Sequence, residues 1–181
     1  MVTPTYRPGV DWSAGHMAQL TKRVSAWGQR QGYRLPYVWV AELTAAGVVH
    51  FHLLVWVPVR LMLPCADRQG WWPHGMTNVL PVKHAIGYAA KYASKLQQKV
   101  GQFPRGLRLH GAGGLDLARR RVRSWMMLPA WAKSQFVRGE GIRRVSGGFL
   151  SLVTGALVAS PYFVFAHGAK WEWIVFALKE C

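Results

Sequence analysis

Apolar positions along the first half of the chain switch between two periods. Val2 to Tyr6 reads as a short opening strand. Beyond it Met17, Leu20, Val24 and Trp27 recur at helical spacing behind Ser13, a residue suited to cap a helix N-terminus. Tyr37 to Leu43 and Val48 to Val59 are rich in Val, Trp and Leu, and Thr44-Ala45-Ala46-Gly47 between them predicts a hairpin. Pro58 and Pro64 close the second strand, and a loop with Gly70-Trp71-Trp72-Pro73-His74-Gly75 follows. Val82 to Lys99 has helix composition, whereas Gly101 to Gly114 is rich in Gly and Arg and reads as a loop. A boundary near residue 100 is therefore expected, with a core over 1–100 and a basic extension over 101–181. In the extension, Leu115 to Trp125 reads as a helix with an Arg cluster, and Gly148 to Lys179 as strands. Phe149 to Phe165 is apolar enough to raise a membrane span, for which about 20 residues are needed. Its Val153-Thr154-Gly155-Ala156 centre and Ser160-Pro161 break read instead as strands around a turn, so no stable membrane insertion is expected.

Charge narrows the function classes. The 181 residues hold 23 Lys and Arg against 7 Asp and Glu, a net charge of +16. Such an excess points to a polyanion, nucleic acid or an acidic membrane surface. Ten Trp and six Tyr accompany it, a composition suited to stacking bases beside a basic backbone track. Cys65 and Cys181 lie far apart with no CxxC spacing, so neither a disulfide framework nor a thiolate metal site is expected, and a reducing cytoplasm is the natural setting. No secretory signal is visible at the N-terminus.

His50-Phe51-His52 lies inside the second hairpin strand, and alternation puts both imidazoles on one face of it. Neutral imidazoles side by side are natural metal ligands. The sole acid between Asp11 and Asp67 is Glu42, on the partner strand. With an odd number of loop residues it falls opposite His50 or His52 on the same face, completing a His, His, Glu set. Mixed nitrogen and oxygen donors with open positions fit magnesium or manganese together with a phosphate oxygen, and nickel, cobalt or zinc can also occupy such a set. Tyr88-Ala89-Ala90-Lys91-Tyr92-Ala93-Ser94-Lys95 repeats Tyr and Lys at a spacing of four inside the expected helix. The phenols then stack on one helical face with an ammonium beside each. A phenol is a poor nucleophile at neutral pH, but a nearby ammonium stabilises the phenolate and a metal on a phosphate eases attack at phosphorus.

These residues carry a resemblance. His50-Phe51-His52 resembles the histidine-hydrophobe-histidine motif of the HUH endonucleases, and Tyr88 to Lys95 resembles the two-tyrosine motif of rolling-circle replication initiators of single-stranded DNA phages. Trp72-Pro73-His74-Gly75, His110-Gly111, the Arg119 to Arg123 cluster with Trp125, and Thr154-Gly155 before Ser160-Pro161-Tyr162 are similar to the initiators of filamentous phages. The resemblance implies an α+β fold of the ferredoxin or RRM-like palm type. Its central antiparallel sheet of about five strands is flanked by helices, with the His pair on a middle strand and the tyrosine helix across that face. It implies a metal held by His50, His52 and Glu42, attack by Tyr88 or Tyr92 on a scissile phosphate, and a 5′-phosphotyrosine that conserves the bond energy. Lys91 and Lys95 are assigned to charge stabilisation or DNA contact. Thr3-Pro4-Thr5-Tyr6 resembles the first motif of the family but departs from it at Pro4, which has no ladder donor. Either this strand lies at a sheet edge or the natural start lies upstream.

The expected partner is single-stranded or locally melted DNA at an origin. Arg105, Arg108, Arg119, Arg120, Arg121 and Arg123 are expected to follow phosphates, and Trp71, Trp72 and His74 to stack on bases near the nick. No GxxxxGK[ST] run is present, so unwinding is expected from a host helicase and copying from a host polymerase. Relaxases and single-strand transposases share the metal and tyrosine chemistry, although the paired tyrosines favour an initiator. A non-catalytic DNA-binding protein is the reading from another class.

Overall fold

A computed structural model describes the chain apart from residues 45, 86, 89, 92–102, 168–171 and 178–181. It divides into two compact units, Met1–Leu115 and Asp116–Cys181. In the first, β1 (Val2–Tyr6), β2 (Tyr37–Leu43), β3 (Val49–Val55), β4 (Gly75–Val79) and β5 (His110–Gly113) form one five-stranded sheet in the order β4-β1-β3-β2-β5. All neighbouring pairs are antiparallel. With α1 (Ala14–Arg30) against it, this is the α+β architecture expected from the resemblance.

Alternation divides the sheet between a packed face and a site face. Val2, Tyr6, Trp39, Ala41, Phe51 and Leu53 turn to one side, where Met17, Leu20 and Val24 of α1 close the core on them. His50, His52 and Glu42 alternate onto the other face.

β1 is not an edge strand: it runs between β4 and β3. Its register with β4 is continuous from Val2↔Val79 to Tyr6↔Gly75, whereas pairing with β3 is recorded only at Val2↔Leu53 and Thr5↔His50. Pro4, lacking an N–H, sits in that gap.

The Gly-rich stretch expected to be a loop contains β5, which extends the first sheet past residue 100. Glycine is what permits it. A Cβ at Gly111 would lie 2.6 Å from the Trp39 indole, and one at Gly113 would run into the Tyr37 phenol. Strand β4 escapes the sequence pattern because its alternation is inverted, with Thr77 buried while Met76 and Asn78 are exposed.

The second unit begins with α2 (Leu117–Met126), where the Asp116 carboxylate accepts a hydrogen bond from the Arg119 N–H at 2.7 Å. A short α3 (Ala130–Lys133) follows. Next comes a three-stranded antiparallel sheet, β6 (Ile142–Val145), β7 (Gly148–Ser151) and β8 (Leu157–Ala159), then a hairpin of β9 (Tyr162–His167) and β10 (Glu172–Ala177). The apolar run from Phe149 thus forms strands around a turn, and among the described residues no helix is long and apolar enough to cross a membrane.

Candidate metal centre

The β2–β3 hairpin builds the centre. Five residues, Thr44 to Val48, connect the strands, so Glu42 pairs with His50 and Val40 with His52. Thr44 holds the turn: its N–H donates to Val48 O at 2.9 Å, its Oγ1 accepts from the Val48 N–H at 3.0 Å, and its carbonyl accepts from the Gly47 N–H at 3.0 Å. Gly47 adopts φ +76°, a left-handed conformation that a side chain would strain. A change of one residue in this loop would move Glu42 to the packed face.

On the site face the three donors converge. His50 Nε2 and His52 Nε2 are 3.1 Å apart, and Glu42 Oε2 lies 3.1 Å from the first and 2.8 Å from the second. Both Nδ1 atoms are buried, so each ring directs Nε2 inward toward the carboxylate. Cis ligands of an octahedral ion with bonds of about 2.1 Å are about 3.0 Å apart, so these separations match three adjacent ligands of one small divalent cation. Among the described residues, Glu42, His50 and His52 are the group able to hold a metal ion. Two neutral nitrogens and one carboxylate suit a divalent ion that keeps open positions for water or phosphate oxygen.

Tyr88 reaches this centre. Ala85, Gly87, Tyr88, Ala90 and Lys91 have helical backbone, and Tyr88 N donates to His84 O at 3.0 Å. The Tyr88 ring lies edge-on to His52, with centroids 6.1 Å apart and planes at 65°. Lys91 is exposed, while Tyr92 and Lys95 lie outside the described residues.

Strand register adds residues that sequence reasoning missed. Thr5 of β1 pairs with His50, and Met76 of β4 pairs with Thr5, so both share the triad's face. His110 of β5 pairs with Val40, itself the partner of His52. The Thr3-Pro4-Thr5 alternation was a visible signal for Thr5, but nothing short of the β5 pairing placed His110.

The expected base-stacking residues fare differently. Trp72 is 1% exposed, its indole N–H donates to Thr5 O at 3.2 Å, and it packs on Tyr6 and Phe51. It is a core residue, because the Pro73 turn folds the indole under the sheet, and it presents no face to a base. Trp71 is half-buried, with its ring 6.4 Å from Trp27. His74 stacks on His16 with centroids 3.5 Å apart and planes at 17°. The Tyr6 hydroxyl and His16 Nδ1 are in hydrogen-bond contact at 3.1 Å. Burial pushes the Tyr6 phenol up to about 12, although its contact with the Ser13 backbone acts the other way. Burial also lowers His16, and it lowers His74 together with the positive charges of His16 and Arg7. Arg105, Arg108, Arg119, Arg120, Arg121 and Arg123 are all exposed. Arg119 pairs with Asp116 at 3.6 Å, and Arg108 donates to His110 O at 2.8 Å.

A family model described as replication-associated protein ORF2 matches residues 1–97. Comparison with curated proteins and with solved structures finds no match.

Proposed function

The chain belongs to the replication-associated protein ORF2 family of HUH rolling-circle initiators, and from that premise we propose that it nicks and rejoins single-stranded DNA at a replication origin through a phosphotyrosine. Membership carries the coarser reading of a replication-initiator nuclease acting on single-stranded origin DNA, and the Glu42, His50, His52 cluster fits its dependence on a divalent metal. The observation that supports the finer chemistry is the Tyr88 ring against His52, at the rim of three converged donors.

In this reading the Tyr88 oxygen attacks the scissile phosphorus, the bond from phosphorus to the 3′ oxygen breaks, and the phenolic proton passes to solvent. The 5′ phosphate stays on the tyrosine and the released 3′ hydroxyl primes a polymerase. Magnesium or manganese held by Glu42, His50 and His52 would draw charge from the phosphate oxygens. Tyr92 is the second nucleophile, which cuts the regenerated origin so that its free 3′ hydroxyl can resolve the first linkage. Lys91 and Lys95 offset developing negative charge or hold the strand. The first unit is the nuclease core and the second a basic extension that holds DNA through the α2 arginines. Host helicase and polymerase complete the reaction in the bacterial cytoplasm.

The test is a labelled single-stranded oligonucleotide carrying the origin, incubated with and without manganese and resolved on a denaturing gel. A protein–DNA adduct that needs metal and is lost in His50→Ala and in the double variant Tyr88→Phe, Tyr92→Phe is expected. Tight binding with no adduct under any metal would leave a DNA-binding protein and overturn the proposal.

A further inference from the structure

The second unit carries an open cavity that the nicking reaction does not use. It has a volume of about 860 Å³, and its lining includes Ser124 and Met127 of α2, Trp131 of α3, Arg144, Phe149 and Tyr162. Trp131 and Phe149 are half-buried with ring centroids 5.7 Å apart, and Tyr162 is 41% exposed. Arg144 is exposed on β6 and pairs across the sheet with Phe149, so an arginine and an aromatic ring share one face.

We propose that this cavity binds bases of single-stranded DNA, with Tyr162, Trp131 and Phe149 offering stacking faces and Arg144 holding a phosphate. The proposal deepens the single-strand reading above by giving the second unit its own contact with the strand. Its charge selects the occupant. Residues 116–181 hold ten Lys and Arg against four Asp and Glu, which favours a polyanion over an apolar peptide. The basic helix leads into the cavity: Arg120 lies one turn before Ser124 on the same face of α2. Aromatic faces beside a cationic track are how sequence-tolerant single-strand sites are built.

The test uses the full chain in EDTA, where no nicking can occur, and a fluorescent oligodeoxythymidine read by anisotropy. Trp131 and Phe149 also pack on a small core, so the variants are the exposed positions Tyr162→Ser and Arg144→Gln. Tyr162→Ser is expected to weaken binding about tenfold at fixed salt, the loss of one stacked base. Arg144→Gln is expected to lower the slope of log affinity against log salt by about one. Photocrosslinking with 5-iododeoxyuridine is expected to mark the peptide carrying Tyr162 or Trp131. Unchanged affinity in both variants, or crosslinks confined to the first unit, overturns the proposal, including the case in which a protein segment occupies the cavity. Because metal is absent throughout, failure here is separable from failure of the nicking reading.

Discussion

Removing the Glu42 carboxylate tests the metal centre without requiring knowledge of the origin. Its oxygen lies 2.8 and 3.1 Å from the two imidazole nitrogens, already at the spacing of neighbouring ligands, so a cation entering the site meets three placed donors. Groups that only support a ligand change metal affinity by about 10–100-fold, so loss of a ligand itself is expected at the upper end, about 100-fold. With manganese at about 100 times its Kd, the wild type gains about 2.7 kcal/mol of stability from binding. A variant binding about 100-fold more weakly gains only RT ln 2, about 0.4 kcal/mol. The difference of about 2.3 kcal/mol corresponds to a loss of roughly 9 °C in the metal-induced rise of Tm, for a unit a little over 100 residues long. Calorimetric titration of wild type sets the manganese concentration, and thermal melts of wild type and Glu42→Ala with and without metal provide the comparison. Equal metal-induced shifts in the two proteins would show that Glu42 is not a ligand and refute the reasoning.

Other consequences are more local. Trp72→Ala removes a buried indole and its bond to Thr5 O, and urea melts are expected to show a loss of about 3–5 kcal/mol; a near-neutral change would return Trp72 to the surface. Gly111→Ala would set a Cβ 2.6 Å from the Trp39 ring and is expected to cost about 1–3 kcal/mol, with no loss at all contradicting the β5 register. The His16–His74 stack makes the first unit acid-sensitive. Both rings are held below the ordinary histidine value, so between the folded value and about 6.5 the unfolded chain binds more protons. Their contribution is therefore complete above about pH 6.5 and is lost as pH falls below it; His16→Phe is expected to flatten urea midpoints between about pH 7 and pH 5, and an unchanged slope would refute this.

Much of the site was legible because its chemistry is local in the chain. Two imidazoles at i and i+2 share a face in any strand, and Glu42 completes the set once the connecting loop has an odd length, here five residues. The strands β1, β2 and β3 and the helix α1 announced themselves by period. What escaped were elements whose residues are chosen for a neighbour distant in sequence. β5 is glycine-rich because Trp39 and Tyr37 lie over it, and composition alone makes such a segment look like a loop. β4 buries Thr77 and exposes Met76, so its polarity reads in the wrong phase. Trp72 looked like a surface aromatic because it sits in a Trp-Pro-His-Gly turn, and only the fold shows the indole tucked beneath Tyr6. The division of the chain moved from about residue 100 to Leu115 for the same reason, since the last strand of the first sheet is recruited from beyond the expected boundary.

The central claim is that a tyrosine beside the Glu42, His50, His52 centre takes up the DNA. Trypsin resolves the two candidates, because cleavage after Lys83, Lys91 and Lys95 separates His84–Lys91, which carries Tyr88, from Tyr92–Lys95. The adduct formed with manganese and the origin oligonucleotide, digested with trypsin and nuclease, is to be read by mass spectrometry for a nucleotide-phosphate addition. The account predicts that addition on the His84–Lys91 peptide, joined by Tyr92–Lys95 if both tyrosines cut. A covalent nucleotide on any other residue, or on none, would contradict it.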